Sequence, residues 1–289
     1  MTSVPPPGAH GGDGAAIGRA LGIDVLDLSM SLNPVAPPAW RVVAAHLDAL
    51  DRYPDPAEAT CALAGCIGVD PRRVVLTNGG AEAISLVAGV VGGGTVAEPD
   101  FALYPRGGGP RWCSNPHSPS GRLAAADVTA DVWDEAFYPL ATGTWTRGDP
   151  TWIVGSLTKL LSCPGLRAGY VIAPDGHAAD DVRARQPAWS VNGLVCDALP
   201  ELLAGVDLPR WAGQVAELRA ALADGLREHG FVPEPSDANW LLVEAPGLRD
   251  HLARGGVAVR GCASFGLPDH VRIAVPDDHG RSRLLEALP

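Results

Sequence analysis

The chain has 289 residues, 46% hydrophobic and 19% charged, with 33 acidic against 22 basic side chains and a net charge of −11. This composition excludes a disordered chain, and the length suits one large domain or two smaller ones. The acidic balance argues against a nucleic-acid partner, because there is no basic surplus to replace phosphate counterions.

Met1 to Gly8 is polar and proline-rich, without the basic start and apolar run of a secretory signal. The longest apolar stretch, Ala83 to Ala97, is broken by Gly89 and by Gly92, Gly93 and Gly94. It is too short for a bilayer, which needs about 20 apolar residues. A cytoplasmic protein with no membrane partner is expected. The six cysteines form no CxxC pair, so they are expected as small buried apolar residues in a reducing cytosol, with no metal site.

Residues 1–35 read as an extended arm. It carries His10-Gly11-Gly12-Asp13, a short helix near Ala15–Leu21, and Leu26-Asp27-Leu28-Ser29 leading to Asn33-Pro34. Apolar spacing predicts a helix over Trp40–Leu50. A rigid turn, Arg52-Tyr53-Pro54-Asp55-Pro56, precedes a helix over Ala57–Cys66. Arg73–Thr77 is β-branched and reads as a strand, Asn78-Gly79-Gly80 as a tight turn, and Ala81–Ala88 as a helix. The free N–H groups at that helix start make an anion cradle, although many such turns bind nothing. Gly94–Ala97, Val128–Trp133, Thr151–Val154 and Ala168–Ile172 read as further strands. Strands alternating with helices predict an α/β sheet with functional groups at strand ends.

From about Asn192 the pattern changes. A long helix over Pro209–His229 precedes strands at Trp240–Val243, Val257–Arg260 and His270–Val275, with a helix over Leu248–Arg254. This predicts a smaller α+β unit. The expected division is an arm (1–35), a large domain (36–190) and a small C-terminal domain (191–289).

One count stands out: 21 arginines and a single lysine, Lys159. Codon bias with one leftover lysine would explain it. So would a site that needs an amine, because guanidinium stays protonated whereas a buried ammonium can lose its proton and attack a carbonyl. The neighbours favour the second explanation. The chain combines an anion cradle at Asn78–Ala81, an acid at a strand end (Asp134), Ser156 three residues before Lys159, and Arg167 downstream. An aldehyde cofactor with a phosphate tail and a pyridine nitrogen needs these types. The amine forms a Schiff base, the carboxylate keeps the ring nitrogen protonated, and the helix start, hydroxyl and arginine hold the phosphate.

These segments resemble the fold-type-I pyridoxal-phosphate (PLP) enzymes, in the branch of histidinol-phosphate aminotransferase and threonine-phosphate decarboxylase. The resemblance rests on His10-Gly11-Gly12, Asp27-Leu28-Ser29 with Asn33-Pro34, Arg52-Tyr53-Pro54-Asp55, and Asn78-Gly79-Gly80-Ala81-Glu82. It continues through Asn115-Pro116 with Pro119-Ser120-Gly121, Asp134-Glu135-Ala136-Phe137, Ser156-Leu157-Thr158-Lys159 and Pro164–Tyr170. Trp189-Ser190-Val191-Asn192 and Ala238-Asn239-Trp240 complete the set, in family order over nearly the whole chain.

The resemblance implies a three-layer fold like that of aspartate aminotransferase and pyridoxal 5'-phosphate as cofactor. It implies roles residue by residue. Lys159 would hold the cofactor covalently and shuttle protons, and Asp134 would pair with the ring nitrogen. Asn78, Gly79, Gly80, Ala81, Ser156 and Arg167 would surround the phosphate, and Tyr104 would stack on the ring. Tyr53 would reach the cofactor phosphate of a neighbouring subunit, implying a homodimer with shared sites. Arg272 would clamp the carboxylate of a small amino-acid substrate, with Arg260 as the second candidate. His10, Asn33 and Asn192 would line the substrate pocket.

Two departures stand against the family pattern. Ser118 replaces the second asparagine that normally bonds the cofactor's phenolic oxygen, and Phe137 stands where related aminotransferases carry a tyrosine. The segments between Tyr104 and Asn115 and between Gly121 and Asp134 are also short. An αβ unit is expected to be missing, giving a trimmed central sheet, and the helix after Gly121 to be shortened.

The implied activity is most like threonine-phosphate decarboxylase of cobalamin biosynthesis. The alternatives are an aminotransferase of the histidinol-phosphate type and a catalytically degenerate member that binds PLP without turnover. A fourth reading takes Ser156-x-x-Lys159 alone as an acyl-transfer pair. It lacks Ser-Asp-Asn, and with one lysine it cannot supply Lys-Thr-Gly.

Overall fold

The computed structural model describes residues 3–8 and 10–289. The chain runs through α1 (Gly14–Leu21), β1 (Leu26–Leu28), α2 (Trp40–Ala45), α3 (Ala57–Ile67), β2 (Val74–Asn78) and α4 (Gly80–Val91). It continues with β3 (Trp112–Ser114), β4 (Val132–Asp134), α5 (Tyr138–Thr142), β5 (Trp152–Ser156), α6 (Leu157–Leu160), β6 (Ala168–Ile172) and α7 (Gly176–Arg183). The last elements are α8 (Gly193–Ala204), α9 (Leu208–Glu228), β7 (Trp240–Glu244), α10 (Leu248–Arg254), β8 (Val257–Gly261), β9 (His270–Ala274) and α11 (Asp278–Glu286).

The larger sheet has five strands in the order β2-β6-β5-β4-β3. β3, β4 and β5 pair in parallel, while β6 pairs antiparallel with both β5 and β2. Four strands therefore run one way and end at one edge.

Side-chain parity explains the layers, since alternate residues of a strand face opposite sides. Val74, Leu76, Trp133, Ile153, Tyr170 and Ile172 pack on one face with α3, α5, α8 and the first half of α9. Val75, Val132, Val154 and Val171 pack on the other face with α4 and α7. Both faces are covered, so these strands read as unbroken apolar runs. Each fully buried aliphatic side chain contributes about 1.5–3 kcal/mol.

β2 is an edge strand, and α7 protects it. Arg183 Nη2 donates to the carbonyls of Arg72 and Val74, and Gln186 Nε2 to that of Leu76. These bonds satisfy carbonyls that would otherwise invite another strand. An open groove of about 970 Å³ runs beside this edge.

The smaller sheet has the order β1-β8-β9-β7, with α9, α10 and α11 contributing to its core. β1 pairs in parallel with β8, Leu26 opposite Val257 and Leu28 opposite Val259. The arm is thus part of this sheet, not only a lead-in. A three-residue strand whose partner lies some 230 positions away leaves no local period to read.

The trimmed region behaves as its length requires. The strand expected over Gly94–Ala97 is reduced to isolated bridges, Gly94 with Gly108 and Thr95 with Arg111. No helix forms between Gly121 and β4. Arg106 organises the short loop instead. Its guanidinium donates to the carbonyls of Asp100, Phe101, Ala102 and Tyr104 and pairs with Glu98.

Val191 to Val215 packs in the core of the larger sheet, against α3 and its neighbours. We therefore propose that the division between the two units falls within α9, later than the expected position 191. Among the described residues no helix is long and apolar enough to cross a membrane.

Candidate active site

The carboxyl ends of β2, β3, β4 and β5 bring Asn78, Ser114, Asp134 and Ser156 to one edge of the larger sheet. Ligands in open α/β sheets bind at such an edge. The smaller sheet faces it with Arg260 from β8 and Arg272 from β9. Between them lies a cavity of about 340 Å³. Lys159, Asp134, Gly80, Ala81, Tyr104, Ser118, Ser156, Arg167, Arg260, Arg272 and His10 all line it.

Lys159 sits in α6, directly after β5. Its backbone carbonyl accepts from Asn33 N at 3.0 Å. Asn33 Nδ2 donates to the next carbonyl, Leu160 O, at 2.9 Å. Asn33 is buried and serves as a clip on the lysine's backbone; it does not line the cavity. Burial, followed by the charges of Arg272, Arg167 and Arg260, lowers the Lys159 amine to about 8. A neutral, nucleophilic amine is thereby accessible near neutral pH.

Asp134 ends β4. Its Oδ1 accepts from Ala136 N at 2.9 Å and its Oδ2 from the Tyr104 hydroxyl at 2.8 Å. Burial raises its carboxyl to about 6, against the lowering effect of those two hydrogen bonds. Tyr104 lines the cavity and also has aromatic neighbours of its own. Trp112 stacks on it at 5.6 Å, Phe101 meets it edge-on at 5.6 Å, and its hydroxyl goes to the acid. Phe101 also lines the cavity and was absent from the sequence-based set. It stands three residues before Tyr104, and nothing in the local pattern distinguishes the two aromatics.

The start of α4 is a cradle. No side chain caps it, so its first backbone N–H groups remain available. Gly79 holds φ +78°, and a Cβ there would run into the Arg167 guanidinium. A Cβ on Gly169 would run into the Gly79–Gly80 peptide. Arg167 adopts the left-handed φ of +62°, which costs a non-glycine residue roughly 1–2 kcal/mol. Asn78 is the last residue of β2, its N–H bonded to Glu82 Oε2 at 2.7 Å, and it does not line the cavity.

Arg260 and Arg272 are register partners in adjacent antiparallel strands. They are only 4% and 5% exposed, a placement that charged side chains rarely take without a reason. Arg260 lies over Phe265 and Arg272 over Trp240, each at 4.6 Å. Burial first, then the charge of Arg260, lowers Arg272 to about 9. Arg272 Nη1 reaches Ser118 Oγ at 3.4 Å, and its Nε is buried without a partner.

Besides Asn33, Asn78 and Gly79, two further expected residues lie outside the cavity. Asn192 caps α8, accepting from Val195 N at 3.0 Å and donating to Leu166 O at 2.9 Å. It steadies the residue before Arg167 and does not line the cavity. Tyr53 is 76% exposed, stacked on Trp189 at 4.6 Å, and also lies outside the cavity.

A lone buried amine, a carboxylate, an uncapped helix start with a hydroxyl and an arginine, and a buried cation pair suit PLP and an anionic substrate. The comparisons agree. The profile of the family described as aminotransferase class I and II matches residues 112–288. The chain is 27% identical to histidinol-phosphate aminotransferase 1 of Dechloromonas aromatica, covering 94% of this chain and 92% of that protein. It is 28% identical to threonine-phosphate decarboxylase of Salmonella typhimurium, covering 97% and 95%. The first alignment runs over 338 positions against 289 residues here, so the relative carries residues this chain lacks. The fold matches histidinol-phosphate aminotransferase from Sinorhizobium meliloti, solved in complex with pyridoxal-5'-phosphate, with a TM-score of 0.79 at 17% identity over 95% of this chain and 93% of that one. The chain therefore belongs to the class I and II aminotransferases, a family of PLP-dependent enzymes.

Proposed function

We propose that this protein is a PLP-dependent enzyme acting on a small amino acid that carries both a carboxylate and a phosphate, most like threonine-phosphate decarboxylase. The carrying observation is the buried pair Arg260 and Arg272, side by side in register and lining the cavity of Lys159. Two adjacent guanidiniums match a ligand with two anionic groups.

Lys159 would be the attachment point, Asp134 would face the ring nitrogen, and Phe101 would lie against the ring. The N–H groups of Gly80 and Ala81, the Ser156 hydroxyl and Arg167 would receive the phosphate. Bound there, PLP supplies a ring that accepts the electron pair left when a bond to the substrate α-carbon breaks. Arg260 and Arg272 hold the substrate's anionic groups and fix which α-carbon bond stands toward the ring. Lys159, with its amine lowered to about 8, moves a proton at its Nζ to that carbon. Ser118 and Phe137 both line the cavity. They leave the cofactor's phenolic oxygen fewer donors than an asparagine and a tyrosine would.

A second reading, transamination of the histidinol-phosphate type, is supported by relatives of that name at similar identity. The test is incubation with carboxyl-labelled O-phospho-L-threonine. Release of labelled CO2 supports the decarboxylase. Transfer of the amino group to 2-oxoglutarate without gas supports the aminotransferase. A cofactor band unmoved by any amino acid supports a degenerate member.

We also propose a homodimer with shared sites. Among the described residues, five of the eight exposed large hydrophobics, Trp40, Leu47, Leu50, Tyr53 and Trp189, cluster on residues 40–53 and the Trp189 that stacks on Tyr53. Such a concentration marks an interaction surface.

A further inference from the structure

Asp134 takes one donor from the backbone and one from a side chain, and that side chain is Tyr104. The tyrosine is 3% exposed, its ring held between Trp112 and Phe101. A phenylalanine would fill that space equally well. The hydroxyl is what the packing does not require.

The hydroxyl belongs to a longer line of groups. Ser114 is the register partner of Asp134 across β3 and β4, and it interacts with the Tyr104 oxygen. Ser114 Oγ donates to Asp100 Oδ1 at 2.6 Å and accepts from Ser118 N at 2.8 Å. Asp100 Oδ1 also takes Phe101 N at 2.7 Å. Asp100 is 4% exposed, so the line ends in a second buried carboxylate. Arg106, bonded to the carbonyl of Tyr104 at 2.7 Å, secures the loop that carries the tyrosine.

We propose that Tyr104 is the positioning residue for Asp134: its hydroxyl fixes the carboxylate's orientation and holds it as the anion that faces the cofactor's ring nitrogen. The inference rests on the reading that Asp134 meets that nitrogen. Its physical basis is the strength of a hydrogen bond to an ionised acceptor, which favours the charged form. Burial and the nearby Asp100 both push the Asp134 carboxyl toward its neutral form, so a compensating donor is needed. Tyr104 remains a donor at any working pH, because burial, then the charges of Asp134 and Asp100, raise its hydroxyl well above the ordinary value. Without the hydroxyl, Oδ2 loses its protein donor, and the proton shared with the ring nitrogen shifts toward the carboxylate.

The experiment compares Tyr104→Phe, Asp134→Asn and the double variant, each reconstituted with PLP labelled with 15N in the ring. The nitrogen resonance reports protonation independently of turnover. In Tyr104→Phe the resonance moves toward the unprotonated position. Turnover falls about tenfold or more, as expected for one lost hydrogen bond to a charged group, and KM moves little. In the Asp134→Asn background the same change moves neither. An unchanged resonance in Tyr104→Phe, with a clear move in Asp134→Asn, overturns the inference and leaves the site reading intact. An unmoved resonance in Asp134→Asn overturns the site reading itself. A fall in melting temperature and a rise in KM without a resonance change assign Tyr104 to packing alone and overturn the inference.

Discussion

Arg260 and Arg272 stand opposite each other across the β8–β9 pair, two buried cations in one small sheet. Like charges at this separation repel, and the fold tolerates them by laying each over an aromatic ring. A site that keeps such a pair is built for an anionic ligand. Replacing Arg272 with methionine should raise the melting temperature of the ligand-free protein, because a buried charge whose Nε has no partner is removed at similar volume. That variant, and Arg260→Met, should raise KM for a phosphorylated amino acid at least tenfold, roughly the worth of one charge-assisted contact. Differential scanning calorimetry and steady-state kinetics check the two halves. A lower melting temperature together with an unchanged KM would sink the assignment.

Lys159 carries its own pH signature. Its amine is lowered to about 8 in the folded protein, from an ordinary 10.5. Between those values the unfolded chain binds the extra proton, so stability of the cofactor-free protein should rise with pH across that window. Below about 8 the penalty is constant. Covalent uptake of PLP should accelerate up to about the same pH and then level off, followed by the growth of its visible band. Lys159→Ala should lose borohydride-fixed cofactor entirely by mass spectrometry.

Glu135 behaves in the opposite sense. It is fully buried, and burial raises its carboxyl to about 7 from 4.5. The folded state holds the proton longer, so Glu135 should cost stability progressively as pH rises from about 4.5 to about 7. Glu135→Gln should therefore raise the melting temperature at pH ~8 more than at pH ~5. Equal shifts at both values would show that the carboxyl titrates normally.

The exposed face around Tyr53 tests the proposed dimer. Trp40→Glu combined with Leu50→Glu places charges on two side chains that are each 67% exposed, so folding should survive. Sedimentation should then show a monomer with weakened PLP retention. If Tyr53 serves a partner's site, Tyr53→Ala should weaken cofactor binding while leaving the dimer intact. A wild-type protein that sediments as a monomer would end this reading.

Legibility in the sequence followed local physics. β2, β6, β8, α9 and α10 were readable because apolar period and turn residues lie within a dozen positions of one another. β1 and β3 were not, since three residues carry no period. Among the site residues, Lys159 stood out by its rarity and Asp134 by its place at a strand end. Asn33 and Asn192 were attributed to the pocket, yet both spend their side chains on backbone groups beside Lys159 and Arg167. Asparagine bonds backbone readily, and only coordinates tell a lining residue from a brace.

By itself the sequence determined the kind of chemistry: one amine among many guanidiniums, an acid, a phosphate cradle, and a chain shortened in two known places. These are properties of residue type and order, which need no partner to be read. The tertiary structure decided which groups share a cavity and what each one offers it. It gave the Tyr104 hydroxyl a carboxylate to donate to, brought Phe101 to the cavity, and aligned Arg260 with Arg272 across two strands. Orientation and register depend on contacts between segments distant in the chain, and no local pattern encodes them.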